Sequence, residues 1–155
     1  MRLSLLAACL ALSLSAALAS PPPPPPDYIN SAVEALSADL TPQTIDAYAA
    51  TFADDLHVFQ DGRLIAAGKA SWLGLERGRL GKVERHVIGY AEGRDSILIV
   101  DEFDDRSSSP VRPGLLFDPR FITRAARYQF GQDHLIHEIR FLQGDGFWIS
   151  ARRSH

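Results

Sequence analysis

The apolar positions of this chain change period several times, and each change predicts an element. Ile29, Val33, Leu36 and Leu40 are spaced four, three and four apart, the single stripe of an amphipathic helix over residues 28–40. Thr41-Pro42 then restarts the chain, Thr41 as an N-cap and Pro42 in the first turn. The second predicted helix runs over 44–52, with Ile45, Tyr48 and Phe52 on one face, and Ala53-Asp54-Asp55 ends it. From there the period falls to two, since Leu56, Val58 and Gln60 alternate with His57, Phe59 and Asp61. Asp61-Gly62 supplies a two-residue hairpin turn, 63–67 the returning strand, and Gly68 a break before a third helix with Trp72 and Leu75 on one face.

Long strands follow. Residues 82–91 alternate with His86, Ile88 and Tyr90 on one side, and Glu92-Gly93-Arg94-Asp95 is a turn. Residues 96–105 place Ile97, Ile99 and Phe103 on one face and Leu98 and Val100 on the other, which marks a central strand. Ser, Pro and Gly in 106–119 predict a long loop, and 121–130 and 135–143 predict two more strands around Gly131-Gln132-Asp133. Phe147, Trp148 and Ile149 in the tail are placed to extend the sheet or pack over a cavity mouth. The order is that of an α+β fold: three N-terminal helices packed on one face of a strongly curved antiparallel sheet, leaving a cone-like pocket between the layers.

Composition changes this picture at the N-terminus. Arg2, the apolar run 3–18 and Ala17-Leu18-Ala19 predict a signal peptide over 1–19, removed on export to the periplasm or the medium. A short membrane anchor, or lipidation at Cys9 after Leu6-Ala7-Ala8, are the alternatives. Cleavage leaves 136 residues, enough for one domain over 28–155 with its own core. Pro21 to Pro26 within the segment 20–27 form an extended polyproline spacer. Cys9 is the only cysteine, so the mature chain has neither disulfides nor thiol chemistry. Losing Arg2 takes the formal charge from −3 to −4, without long runs, which argues against nucleic acid as partner.

The run FADD, a strand, DG, a strand and GKASW resembles the SnoaL-like branch of the nuclear-transport-factor-2-like (NTF2-like) superfamily, which includes ketosteroid isomerase, over about residues 28–143. The resemblance implies a hairpin across the mouth of a cone. It also implies a base carboxylate on the first hairpin strand and two oxyanion donors, a tyrosine and a protonated aspartic acid. Here Gln60 stands at the base position, Ala32 near the tyrosine position and Ala126 near the acid position, while Asp61 faces outward by strand parity. Steroid isomerisation is therefore not expected.

The same register turns Leu56, Val58, Gln60, Trp72, Leu75, Ala126, Tyr128, Phe130, Leu135, His137, Ile139 and Phe141 inward. The expected ligand-binding set within it is Leu56, Val58, Gln60, Trp72, Tyr128, Phe130, His137 and Ile139, around a small, mostly apolar molecule held by Gln60, Tyr128 or His137. His137 is the candidate catalytic residue. A small hydrolyase or isomerase using it with Gln60 or Tyr128 is the alternative to plain binding. His86 and His137 with Asp101 would resemble scytalone dehydratase, another superfamily member, though no motif fixes that pairing. No cofactor or metal is expected: His134 and His137 fall on opposite strand faces, and Asp101, Glu102, Asp104 and Asp105 lack the spacing of a calcium loop and read as a solvated strand end. A homodimer through the outer face of the sheet, and no membrane association after cleavage, complete the expectations.

Overall fold

The computed structural model describes residues 24–105 and 121–145. The signal segment, the start of the proline run, the 106–119 loop and the Phe147-Trp148-Ile149 tail lie outside the described residues. Helix α1 (Asp27–Ser37) buries Ile29, Ala32, Val33 and Leu36, the predicted stripe less its last member. Leu40 lies beyond the helix end but still packs against the core. The Thr41 hydroxyl accepts hydrogen bonds from the N–H groups of Gln43 and Thr44, both at 3.2 Å, which closes a turn before the short helix α2 (Ile45–Ala50); the N-cap of α2 is Thr44, not Thr41 as predicted, and it makes no side-chain capping bond.

Helix α2 stops two residues earlier than its periodicity predicts. Phe52 and Ala53-Asp54-Asp55 belong instead to strand β1 (Phe52–Gln60). Phe52 is buried in either state, so burial alone cannot locate the boundary. Asp61 and Gly62 both take positive φ, 49° and 80°, and turn the chain into β2 (Arg63–Ala67). Gly68, at φ 88°, donates its N–H to the Leu56 carbonyl at 2.7 Å and starts α3 (Lys69–Arg79). The buried face of α3 is Trp72, Leu73 and Glu76; Leu75, expected beside Trp72, is turned to solvent.

Four strands of ten residues each follow: β3 (Val83–Glu92), β4 (Ser96–Asp105), β5 (Phe121–Phe130) and β6 (Ile136–Asp145). They join the hairpin in one six-stranded sheet of order β2-β1-β6-β5-β4-β3. The sheet is mixed, not wholly antiparallel as predicted, because β1 pairs in parallel with β6 through Val58↔Ile139 and Gln60↔Phe141. The other pairings are antiparallel. One core unites the layers: Ile29 and Leu36 of α1, Tyr48 of α2 and Trp72 of α3 cluster with Ile97, Ile99, Tyr128 and Ile139 of the sheet. A register shift between Val87 and Gly89 interrupts the alternation of β3, and Ile88 and Tyr90, which the alternation sets on one side with His86, are exposed.

Candidate functional site, a buried guanidinium and carboxylate cluster

Strand pairing places Asp101 of β4 directly opposite Arg124 of β5, on the inner face. Both are buried, with relative exposures of 0% and 3%. Arg124 grips the carboxylate with two prongs, Nε to Oδ1 at 3.1 Å and Nη2 to Oδ2 at 2.9 Å. Arg85 of β3 approaches the same Oδ2 with Nε at 2.8 Å and Nη2 at 2.7 Å, and its Nη1 donates to the Leu36 carbonyl in the last turn of α1. A cation at a helix C-terminus also complements the helix dipole. This one carboxylate thus ties two strands and a helix to β4. It is buried, which corrects the expectation that Asp101 sits at a solvated strand end.

Aromatic rings enclose the cluster. The Arg124 guanidinium lies 4.4 Å from the Phe103 ring centroid and 5.2 Å from that of Phe141. Burial by itself would lower the Arg124 pKa, but the charge and hydrogen bonds of Asp101 work against it and the balance is a raised value, so the cation persists. Burial pushes the Tyr48 phenol well above its ordinary range, with Glu76 adding to the effect. It raises Tyr128 as well, against the opposing pull of Arg124 and Arg85. Both phenols are therefore neutral. The Trp72 indole N–H donates to Tyr48 Oη at 3.1 Å. Glu76 of α3 is 5% exposed and accepts from Arg79 Nη1 at 3.3 Å.

A cleft of about 110 Å³ opens over this cluster, lined by Arg79, Val83, Phe103, Ile122, Arg124 and Gln143. A narrower extension of about 30 Å³ shares Arg79, Val83 and Phe103 and reaches Glu76, Arg85, Leu40 and Leu80. Asp101 holds Nε and Nη2 of Arg124, a residue that also lines the cleft; among the described residues no hydrogen bond uses its Nη1.

The residues expected to bind a ligand do not come together. Leu56, Val58, Trp72, Tyr128 and Ile139 are wholly buried in the core cluster and line none of the clefts described here. Gln60 is at the rim, donating to Gln143 Oε1 at 3.4 Å. Phe130 stands edge-on to Tyr28 at 5.2 Å, facing a separate cleft between α1 and α2.

His137 is the largest departure from the predicted register. In the pairing of β5 with β6, Phe130 lies opposite Ile136 and Gln129 opposite Glu138, so His137 is an extra residue and the inward parity assumed from Ile139 and Phe141 breaks there. Its ring sits at the surface, with Nδ1 2.7 Å from Asp55 Oδ1 and Nε2 2.9 and 3.1 Å from the two Asp133 oxygens. The hydrogen bond to Asp133 raises its pKa against the opposing effect of burial, and the charges of Asp133 and Asp55 add to the rise. Both ring nitrogens thus face carboxylates, an arrangement that favours the imidazolium. His86 contacts Glu84 at 3.4 Å, so no cluster of His86, His137 and Asp101 forms.

Parity held a signal for what was missed. Asp101 shares its period of two with Ile97, Ile99 and Phe103, and Arg124 shares one with Ala126, Tyr128 and Phe130. Charged residues in phase with buried ones on adjacent strands are candidates for an interior pair. Glu76 follows Trp72 by four on α3 in the same way.

No protein-family model matches the sequence, and no curated protein matches it. Solved structures do. An NTF2-like protein of unknown function from Cytophaga hutchinsonii superposes with TM-score 0.55 at 16% identity, covering 76% of this chain and 96% of that one. A candidate ketosteroid isomerase from Kribbella flavida gives 0.53 at 11%, covering 76% and 75%. An LEH-like epoxide hydrolase from M. tuberculosis gives 0.51 at 18%, covering 77% and 84%. At these identities the likeness is one of architecture, and by that measure the chain has the NTF2-like α+β fold.

Proposed function

We propose that this chain is a small-molecule-binding domain whose ligand enters the cleft over Arg124, setting an apolar body against Val83, Phe103 and Ile122 and one polar group on Arg124 Nη1. The observation that carries the reading is the buried Arg85–Asp101–Arg124 cluster under an opening. Burying ions costs several kcal/mol each after relaxation, and a hydrocarbon core of similar volume would serve stability as well or better. A role beyond stability accounts for ions in that place. The working wall in this reading is β3 to β6 near the end of α3, in place of the hairpin side expected from the sequence.

Thermal-shift screening tests this. A ligand at a hundred times its dissociation constant stabilises the fold by about 2.7 kcal/mol. Val83→Trp, which fills the cleft, should abolish the shift. A screen of small apolar compounds bearing one polar group that moved nothing, or a shift that survived Val83→Trp, would refute the reading.

A second reading, a small hydrolyase or isomerase, rests on Glu76, a nearly buried carboxylate on the same cleft. The base in that reading is Glu76, which lines the cleft, whereas His137 does not and pairs with Asp55 and Asp133. Product analysis on any compound that binds, with wild type and Glu76→Gln, decides between turnover and binding.

We also propose that the mature protein is exported and dimeric. Leu142, Ala125, Val100 and Gly89 are successive partners across the outer face of the sheet, and Leu142 and the nearby Leu98 are exposed there. Light scattering should give a dimer that Leu142→Glu dissociates. N-terminal sequencing of exported material should begin at Ser20.

A further inference from the structure

The charges that line the cleft over Arg124 and its narrower extension do not balance. Arg79, Arg85 and Arg124 bring three permanently protonated guanidiniums against the one carboxylate of Glu76. Asp101 lies beneath them with both oxygens taken, Oδ1 by Arg124 and Oδ2 by Arg124 and Arg85. Three cations set against two carboxylates leave one positive charge over in this cluster of described residues. Donors are in excess as well. Glu76 Oε1 accepts from Arg79 Nη1, and Gln143 turns its Oε1 to Gln60, so the part of that amide left to the cleft is its NH₂. The Arg79 side chain is 42% exposed at the rim, whereas Arg124 is buried beside Phe103. A surplus charge against Val83, Phe103 and Ile122 is poorly solvated, and an anion set beside it gains from the same low dielectric.

On the reading that this cleft binds a small molecule, we propose that the polar group of its ligand is a carboxylate, held by Arg79 and Arg124 with its hydrocarbon body on Val83, Phe103 and Ile122. One negative charge matches a surplus of one, and the charge of a phosphate monoester, about −1.5 to −2, overshoots it. The planar carboxylate also suits guanidinium donors. A cleft of about 110 Å³ limits the body to around six carbons, on the scale of the cavity of about 150 Å³ that takes up benzene.

Hexanoate, hexanamide and hexylamine share one body and differ in charge. In calorimetric titrations of the intact chain at low salt, hexanoate should bind about tenfold more tightly than hexanamide, and hexylamine should not bind. Raising the salt from about 0.05 to 0.5 M should weaken hexanoate several-fold and leave hexanamide unchanged. This arm needs no variant. Arg79→Gln should cut the preference for hexanoate several-fold without altering hexanamide, and Val83→Trp should abolish both. Equal binding of acid and amide, lost together in Val83→Trp, overturns the anion and keeps the cleft. A preference for hexanoate that survives Val83→Trp, or that Arg79→Gln leaves intact, puts the anion elsewhere and overturns the proposal. If none of the three binds at millimolar concentration the proposal falls too, while the broader thermal-shift screen decides separately whether the cleft takes a ligand.

Discussion

Replacing Asp101 by asparagine keeps the shape of the side chain and removes the charge on which two guanidiniums converge. The wild-type carboxylate accepts three hydrogen bonds, from Arg85 Nε and from Nε and Nη2 of Arg124, with Arg85 Nη2 also at 2.7 Å. An amide keeps one acceptor oxygen and turns its NH₂ toward a donor, so at least one bond becomes a donor–donor contact. Each charge-assisted bond contributes about 1.5–3 kcal/mol net. Breaking a buried ion pair from one side costs about 3–5 kcal/mol, because the partner charge stays buried and unpaired. Arg85 keeps the Leu36 carbonyl and is 10% exposed, so the loss falls mainly on Arg124. Asp101→Asn should therefore destabilise the domain by about 3–5 kcal/mol in urea unfolding, with a fall in Tm on the order of 10 °C. Adding Arg124→Met to Asp101→Leu should recover much of that loss, since the orphaned cation is then gone. An Asp101→Asn variant within about 1 kcal/mol of wild type would refute the claim that the cluster is dry and mutually dependent.

Wherever strand parity and helical stripes agree with burial, the fold was legible in the sequence: α1, the Asp61-Gly62 hairpin and β4 fall where their periods put them. The errors share a cause. Phe52 is apolar and buried whether it ends a helix or starts a strand, so the periodicity overextends α2. A one-residue bulge inverts every parity argument beyond it, and His137 sits on one. The parallel pairing of β1 with β6 is a matter of topology, on which alternation along a single strand is silent. The interior ions were hidden differently, because a charged residue in an apolar phase reads as an exposed end until its partner on the next strand is known. Asp101, Arg85 and Arg124 come from three strands and meet only across their register.

The other perturbations are local. Tyr48→Phe removes the acceptor of the buried Trp72 indole N–H and should cost about 1–3 kcal/mol in urea unfolding; no loss would mean that this bond is not formed in solution. Gly131→Ala would set a methyl 2.6 Å from His137 Cδ2 and 2.9 Å from Asp133 Oδ1, so it should destabilise by about 1–3 kcal/mol and weaken the pH dependence described next. That dependence follows from the two carboxylate partners of the ring. His137 is raised by its hydrogen bond to Asp133 first, and its contribution is complete below the ordinary imidazole value near 6.5 and fades as pH rises through the raised one. Asp133 is lowered by the same bond, so its share is present above the ordinary carboxylate range and fades as pH falls through the lowered value. Asp55 on β1 and Asp133 in the turn hold the imidazolium, and Asp54 and Lys69 line one surface cleft with all three. In Tm measured against pH, His137→Gln should fall furthest below wild type in the mildly acidic window between the two shifted values and converge with it in alkali. A constant gap at every pH, or one that widens in alkali, would show that the ring acts by packing against Gly131 and not by its charge.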